Sequence, residues 1–420
     1  METSTEQEKV ILVSVQTNQS DDLFTYELEE LERLVDTAKG KVIATLTQKK
    51  SDHDSRTIIG KGKLEELGHL VEELQPQTII FAQELSPRHM RNIQEVIDCK
   101  IIDRIQLILD IFAMRATSKE GKLQVSLAQL NYLLPRLTGQ GINMSRLGAG
   151  IGTRGPGETK LETDRRHINR QITEIKKSLA ELELHRQRSR EKRGASGIFQ
   201  IGLIGYTNAG KSTLLNRLTD AETFEENLLF ATLDPLTRKM NFPNQFQATL
   251  TDTVGFVQNL PTQLIHAFHS TLEESRGMDL FLHVVDCSQE FYVEQENTVI
   301  DLIKDLEMVE TPVLTIYNKK DQMHPSFHPR LHPHIVVSAL DSNDVDQLIA
   351  FMWEEIKKIL LPFEWRVDAQ NGNLLSQLQR ETFVETLTFL EEEGCYLVKG
   401  FVKSNSKWLG VFKENESNNE

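Results

Sequence analysis

The sequence predicts a multidomain α/β protein. It should contain a small α/β domain with a long helical hairpin, a second α/β domain built around a phosphate-binding loop, and a small α+β domain at the end. Three patterns predict this. Strand-like and helix-like runs alternate in the N-terminal quarter, leucines and isoleucines then recur at intervals of three and four, and a glycine-rich turn follows the apolar run that ends at Ile204. A chain of 420 residues is also too long for one typical domain.

The first domain is expected over residues 1–103. We predict strands at 10–15, 42–46 and 78–81 and helices at 23–38, 63–74 and 87–97, an alternation typical of a parallel or mixed sheet. Within it, Gly60-Lys61-Gly62-Lys63 lacks the G-x-x-x-x-G-K spacing of a phosphate loop. We therefore interpret it as a glycine turn that caps a helix.

A long helical hairpin is expected over residues 104–196. The apolar side chains step by three and four, which predicts two long helices packed along one seam. The seam residues are Leu127, Leu130, Leu134, Leu137, Ile168, Ile172, Ile175, Leu179 and Leu182. Between the helices, residues 138–157 hold seven glycines together with Arg146 and Arg154. A loop of this size and composition indicates a probe that becomes ordered on contact with nucleic acid.

Charge is distributed unevenly along the chain. The formal net charge is −15, yet residues 104–196 hold 18 Lys and Arg against 9 Asp and Glu, a local +9 that leaves −24 for the rest. Five Lys or Arg fall within His185 to Arg193. A solvated helix face is the usual explanation of such a run, but the adjoining glycine-rich loop with its arginines favours a phosphate-rich partner.

The second α/β domain is expected over residues 197–361. After the strand-like run Ile201 to Ile204, the chain reads G-x-x-x-x-G-K-S-T, a phosphate-binding P-loop that leads into a helix at 212–218. Backbone N–H groups and the helix dipole would bind the phosphates, Lys211 would reach the β- and γ-phosphates, and Ser212 would ligate Mg²⁺. The loop residues are Gly205, Tyr206, Thr207, Asn208, Ala209, Gly210, Lys211, Ser212 and Thr213.

A second motif of the nucleotide site, D-x-x-G, closes the apolar strand that ends at Asp252. It comprises Asp252, Thr253, Val254 and Gly255. A carboxylate here holds Mg²⁺ through water, and the glycine N–H meets the γ-phosphate. Asp252 and Gly255 are therefore expected to form a switch that distinguishes a triphosphate from a diphosphate.

The remaining Mg²⁺ ligand is assigned to Thr232. It lies in the segment Phe230, Ala231, Thr232, Leu233 and Asp234, flanked by a polar connection, where a P-loop GTPase places a threonine of its first switch. The alternatives are Thr223, Thr237 and Thr249. We assign Lys211, Thr232 and Gly255 to catalysis.

Base recognition is expected in two loops. Asn318, Lys319, Lys320 and Asp321 read N-K-x-D after a strand at 313–317, and Ser338, Ala339 and Leu340 follow a strand at 334–337. The Asp321 carboxylate can accept hydrogen bonds from guanine N1–H and the exocyclic amine, whereas adenine offers no such pair of donors. The motifs together predict a Ras-like P-loop GTPase domain that binds GTP in preference to ATP.

Phe256 follows Gly255 where many small GTPases carry the glutamine that orients the attacking water. An aromatic ring cannot orient water by hydrogen bonding, so we predict slow hydrolysis by the isolated protein. A partner or a bound ion would supply the missing stabilisation. Asn208 is a candidate ligand for K⁺, as at this position in potassium-activated GTPases.

The C-terminal residues carry no chemical motif. Residues 362–413 are expected to form the small α+β domain, with a helix at 374–393 and strands at 395–402 and 408–412, before a disordered acidic tail at 414–420. Three scattered cysteines disfavour disulfides and zinc, and there is neither a signal peptide nor an apolar run long enough to span a bilayer. We therefore expect a cytoplasmic protein with at most peripheral membrane association. The acidic charge outside residues 104–196 should disfavour self-association, so we expect a monomer.

The chain resembles the HflX GTPases over nearly its full length. The resemblance is carried by the twelve residues from Gly155 to Arg166 (GPGETKLETDRR), the P-loop, the switch sequence FATLDP, and the R-x-x-x-G-x-G-K-L-E-E-L pattern of residues 56–67. It implies a ribosome-associated GTPase that binds the large subunit, places its hairpin loop near the peptidyl-transferase region and splits stalled ribosomes. ATP hydrolysis by the N-terminal domain is also implied, although no residues there can be assigned to it.

Two other functions are compatible with the motifs. The hairpin could be a scaffold in a GTPase that is indifferent to ribosomes, or the chain could be a ribosome assembly or RNA-binding factor that uses GTP as a structural ligand. GTPase assays with and without large subunits separate the three.

Overall fold

The described residues form two compact units, which divide between Glu181 and Leu182. The fold is that of a computed structural model, which describes residues 7–137, 156–195, 198–219, 230, 235–242, 246–253, 255–257, 277–404 and 406–411, with backbone alone for 156–161 and 185–195. Within these ranges no helix is long and apolar enough to cross a membrane.

The first unit is built on a four-stranded parallel sheet in the order β2-β1-β3-β4. It confirms the alternation predicted from sequence and adds a fourth strand. Ser20 caps α1 through its side chain, and Gly60 is the N-cap of α2, as the glycine-turn interpretation predicted. The elements are β1 (Glu8–Gln16), α1 (Asp21–Thr37), β2 (Gly40–Lys49), α2 (Lys61–Leu74), β3 (Thr78–Phe81), α3 (Pro87–Gln94) and β4 (Lys100–Asp103).

The first helical arm of the predicted hairpin is not continuous. The chain forms α4 (Arg104–Arg115) and α5 (Lys119–Leu137), because Ala116 is extended and Ser118 caps the second helix by accepting the N–H of Gly121. The long helix α6 (Pro156–Ala195) follows.

The predicted seam between the hairpin helices is only partly buried. Of its residues, Ile172 alone is buried, and a cavity of about 530 Å³ is lined by side chains of α4, α5 and α6. Of the predicted loop 138–157, residues 138–155 lie outside the described residues, whereas residues 156 and 157 begin α6.

A six-stranded sheet in the order β10-β9-β8-β5-β7-β6 forms the centre of the second unit. All neighbours are parallel except β6, which runs antiparallel to β7. This confirms a P-loop domain within a multidomain α/β chain. Its elements are β5 (Phe199–Gly205), α7 (Lys211–Leu218), β6 (Leu236–Asn241), β7 (Gln247–Asp252), β8 (Leu280–Asp286), α8 (Tyr292–Asp305), β9 (Val313–Asn318), β10 (His334–Val336) and α9 (Ser342–Ile359).

The C-terminal part of this unit adds an antiparallel sheet in the order β11-β13-β12, and two sequence predictions fail here. The helix predicted to continue to Glu393 ends at Glu381, and residues 408–411, predicted as strand, are helical. Phe383 explains the first failure, because its ring is fully buried against Phe246 and Trp353 of the P-loop domain. The elements are β11 (Leu361–Asp368), α10 (Gly372–Glu381), β12 (Phe383–Leu390) and β13 (Cys395–Val402).

Burial also explains the second failure. Trp408 is 4% exposed and donates its indole N–H to Glu381, so a helical turn places it in the small core of the C-terminal sheet. The domain boundaries expected from sequence stay predictions.

Candidate functional site

The predicted phosphate loop lies where β5 ends and α7 begins. Gly205 and Gly210 have φ angles of 155° and 97°, and Asn208 has a φ of 60°, the left-handed conformation that asparagine tolerates. A Cβ atom at Gly205 would lie 2.2 Å from the carbonyl oxygen of Val284 on β8. The backbone therefore needs glycine here, and the loop leads directly into the N-terminus of α7.

Lys211, the first residue of α7, is buried inside the loop. Its Nζ donates to the carbonyl oxygens of Gly205 at 3.0 Å and Tyr206 at 2.7 Å. Burial lowers the pKa of Lys211 to about 8, although the carboxylate of Asp252 acts in the opposite direction. The amine is thus held on the inner side of the loop, where a phosphate would meet it.

GDP affinity should fall above about pH 8. The Lys211 ammonium is present below the lowered pKa of about 8 and is lost as the pH rises through it. Because phosphates favour the charged form, binding above this pH requires uptake of a proton, and affinity should decrease by about tenfold per pH unit. Calorimetry in buffers of different ionisation enthalpy should detect uptake of about one proton near pH 9. A constant affinity between about pH 7 and pH 9 would contradict this assignment.

The D-x-x-G motif reaches the phosphate loop from β7. Asp252 ends that strand, is 1% exposed, and accepts a hydrogen bond from the Ser212 hydroxyl at 2.8 Å. A Cβ at Gly255 would lie 2.9 Å from Thr207 Cγ2 and 3.0 Å from Lys211 Nζ, so only glycine fits there without a shift. Through the hydrogen bond between them, Ser212 and Asp252 are in contact, and these are the two predicted Mg²⁺ ligands that lie within the described residues.

Phe256 is paired with the phosphate loop through its backbone. Its N–H donates to Gly205 at 3.2 Å, and its carbonyl accepts from the N–H of Thr207 at 2.7 Å. The ring is 4% exposed. Slow hydrolysis by the isolated protein stays a prediction.

The N-K-x-D segment meets both the phosphate loop and the loop after β10. The Asn318 amide donates to the carbonyl of Ala209 at 2.9 Å, and its oxygen accepts from the N–H of Ala339 at 2.9 Å. The Ser338 hydroxyl donates to Asp321 at 2.6 Å, and this bond lowers the pKa of the Asp321 carboxyl. Asp321 is exposed, so its ionised carboxylate is available to a base.

Two carboxylates of this region were missed by sequence reasoning. Asp286 ends β8 and is bound by Lys319 Nζ at 2.7 Å, while Asp344 of α9 contacts both Ser338 and Lys320. A carboxylate at the C-terminal end of an apolar strand, like Asp252, could have indicated Asp286. No sequence signal marked Asp344 beyond its place in the first turn of a helix.

Several predicted positions lie outside the described residues: Thr223, Ala231, Thr232, Leu233, Asp234 and Val254. Of the alternatives to Thr232, Thr237 shares a hydrogen bond with Thr251 at 2.9 Å and Thr249 donates to the Phe199 carbonyl at 3.5 Å. Thr213 lies in α7, Phe230 is buried, and Leu340 is 65% exposed at the base loop.

Comparisons with known proteins agree with this geometry. Residues 25–113 match the GTP-binding GTPase N-terminal family, residues 115–193 the GTP-binding GTPase Middle Region, and residues 200–319 the 50S ribosome-binding GTPase family. A GTPase HflX from Alkalihalophilus pseudofirmus is 50% identical over 97% of this chain and 96% of its own length. The chain belongs to the HflX GTPases.

Another HflX protein is less similar in sequence but also covers most of the chain. GTPase HflX of Escherichia coli K12 is 36% identical over 92% of each chain. A crystal structure of SsGBP in complex with GDP matches 83% of this chain and 98% of its own, at 25% identity and a TM-score of 0.49. As an HflX GTPase with a P-loop domain, the protein is a GTP hydrolase.

Proposed function

We propose that this HflX GTPase binds the large ribosomal subunit through its rRNA and splits stalled ribosomes into subunits, hydrolysing GTP to GDP and phosphate. The observation that carries the ribosomal part is the match of residues 200–319 to the 50S ribosome-binding GTPase family. We further propose that it acts in the cytoplasm as a monomer.

The geometry of the described residues supports the nucleotide roles that we propose for the site. Lys211 would bind the β- and γ-phosphates, Gly255 would meet the γ-phosphate through its N–H, and Asp321 would bind guanine. Thr232 is proposed as the switch residue that contacts Mg²⁺ in the GTP-bound state. Loss of the γ-phosphate would release both switches and allow the protein to leave the ribosome.

The oxygen donors at the phosphate loop suit Mg²⁺. Within the described ranges, no group of three or more His, Cys, Asp or Glu could hold a metal. Ser212 and Asp252 are in contact, however, and Mg²⁺ in such sites takes its remaining ligands from phosphates and water. Bound Mg²⁺ would neutralise phosphate charge during hydrolysis. For K⁺ the proposed ligand is Asn208, and equal hydrolysis rates in potassium and sodium buffers would contradict it.

The proposed rRNA-binding surface includes the described part of α6. Arg165, Arg166, Arg170, Lys176 and Lys177 are all exposed there. Cations spaced along one helix can neutralise several backbone phosphates and release their counterions, so binding should weaken as salt rises. The glycine-rich loop 138–157 is proposed to contact rRNA at the end of the hairpin.

We expect purified large subunits to raise the GTP hydrolysis rate severalfold, because Phe256 stands where many small GTPases carry the glutamine that orients water, and an aromatic ring cannot take that role. Replacing Arg165, Arg170 and Lys176 by glutamine should weaken this stimulation and reduce its salt dependence. The matched control replaces three exposed cations of the N-terminal domain, Lys41, Lys61 and Arg88, in the same way. Splitting would be measured by light scattering of intact ribosomes with GTP.

The outcomes separate the alternatives. A GTP hydrolysis rate that large subunits do not change would favour a hairpin that serves only as a scaffold. GTP binding without hydrolysis would favour an assembly or RNA-binding factor. Stimulated GTP hydrolysis with ribosomes that stay intact would contradict ribosome splitting.

A further inference from the structure

Asp344 is a buried carboxylate beside the proposed guanine site. It is the third residue of α9, is 5% exposed, and lines the same cavity as Asp321, Ser338 and Leu340. The helix already has an N-cap, because Asp341 accepts the N–H of Asn343 at 2.9 Å. Because Asp341 already caps the helix, the role of Asp344 must follow from the contacts that Asp344 itself makes.

Those contacts join the two loops of the base site. Asp344 Oδ2 accepts the backbone N–H of Ser338 at 2.8 Å, and its two oxygens accept from Lys320 Nζ at 3.0 and 3.3 Å. Ser338 in turn donates its hydroxyl to Asp321 at 2.6 Å. Lys320 is the neighbour of Asp321 in the chain. Each partner of Asp344 is thus one step from the carboxylate proposed to read guanine.

The contacts of Asp344 are expected to influence the orientation of Asp321, because the Asp321 side chain is otherwise exposed. Its hydrogen bonds within the described part of the site come from Ser338 and from the adjacent, exposed Gln322. The Ser338 hydroxyl can hold the Asp321 carboxylate only while its own backbone is fixed. A buried, charged acceptor for the Ser338 N–H fixes that backbone more strongly than a neutral one.

We propose that Asp344 is a positioning residue for guanine recognition, which orients Asp321 through Ser338 and Lys320. Asp344 does not touch the nucleotide in this role. The inference rests on the proposed reading of guanine by Asp321 and adds a residue that determines how well the exocyclic amine is recognised.

Comparison of GDP with inosine diphosphate (IDP) tests the inference, because IDP lacks only the exocyclic amine. Asp344→Ala should weaken GDP binding by about tenfold and IDP binding by a smaller factor, because IDP keeps the N1–H that Asp321 also accepts but has no exocyclic amine to lose, so the preference for GDP declines. Asp344→Asn keeps an acceptor for Ser338 but loses the charge that Lys320 binds, and should show a smaller loss in the same direction. Binding would be measured by calorimetry on the full chain.

Asp346→Ala is the matched control, since it removes an exposed carboxylate two residues further along the same helix. A helix-capping role would lower thermal stability and weaken GDP and IDP by the same factor. Equal losses for the two nucleotides, or unchanged GDP affinity in Asp344→Ala, would overturn the inference.

Asp321→Ala distinguishes failure of this inference from failure of the assignment beneath it. It should abolish the preference for GDP over IDP. If it preserves that preference, the reading of guanine by Asp321 is wrong and the role of Asp344 falls with it. If Asp321→Ala behaves as expected and Asp344→Ala keeps the preference, only the positioning role is wrong.

Discussion

Replacing Lys211 by alanine should abolish nucleotide binding, with GDP affinity reduced by about a thousandfold or more. The Lys211 ammonium is buried and already directed at the inner carbonyls of the phosphate loop. Two charge-assisted hydrogen bonds to phosphate contribute about 1.5–3 kcal/mol each, and 1.4 kcal/mol corresponds to a factor of ten in affinity. Calorimetry or a fluorescent guanine nucleotide would measure the loss.

The control for this variant must show that the fold survives. Lys211→Met keeps most of the side-chain volume and should lose affinity to a similar degree, whereas the exposed Lys304→Ala on α8 should bind normally. Thermal unfolding without nucleotide would confirm that each variant is folded. Wild-type GTP affinity in Lys211→Ala would refute the assignment of the site.

The parts of the site that could be predicted are those encoded by short motifs. Each motif combines residues that are adjacent in sequence with a strand end, and parallel strands bring their C-terminal ends to one edge of a sheet. Gly205 shows why this works, because the approach of Val284 on β8 leaves no room for a Cβ. Contact between Ser212 and Asp252 was likewise predictable from their separate roles around Mg²⁺.

The parts that could not be predicted depend on contacts distant in sequence. Residues 382–390 carry a helical apolar spacing as well as β-branched threonines, and the pairing of β12 with β13 and the burial of Phe383 decide for strand. Asp344 was equally undetectable, since its importance lies in the meeting of Lys320 and Ser338. Local sequence patterns predict the helices and strands, but where a helical and a strand pattern are of similar strength, tertiary contacts decide which one forms.

Gly210→Ala should reduce GDP affinity by about a hundredfold or more and also lower stability. Gly210 has a φ of 97°, which an L side chain rarely adopts, and a Cβ there would lie 2.2 Å from the amide nitrogen of Asn318. Positive φ and the clash together should cost about 2–4 kcal/mol in the free energy of unfolding. Chemical denaturation and GDP titration would measure the two effects.

The expected loss of GDP affinity follows from the two contacts that the Asn318 side chain makes. Its amide joins Ala209 of the phosphate loop to Ala339 of the base loop, so displacing it should disturb both halves of the nucleotide site at once. Gly68→Ala in the interior of α2, where a Cβ meets nothing within 4 Å, is the control and should stabilise the protein by up to about 1 kcal/mol. Wild-type GDP affinity in Gly210→Ala would contradict the role assigned to Asn318, which is to align the phosphate loop with the base site.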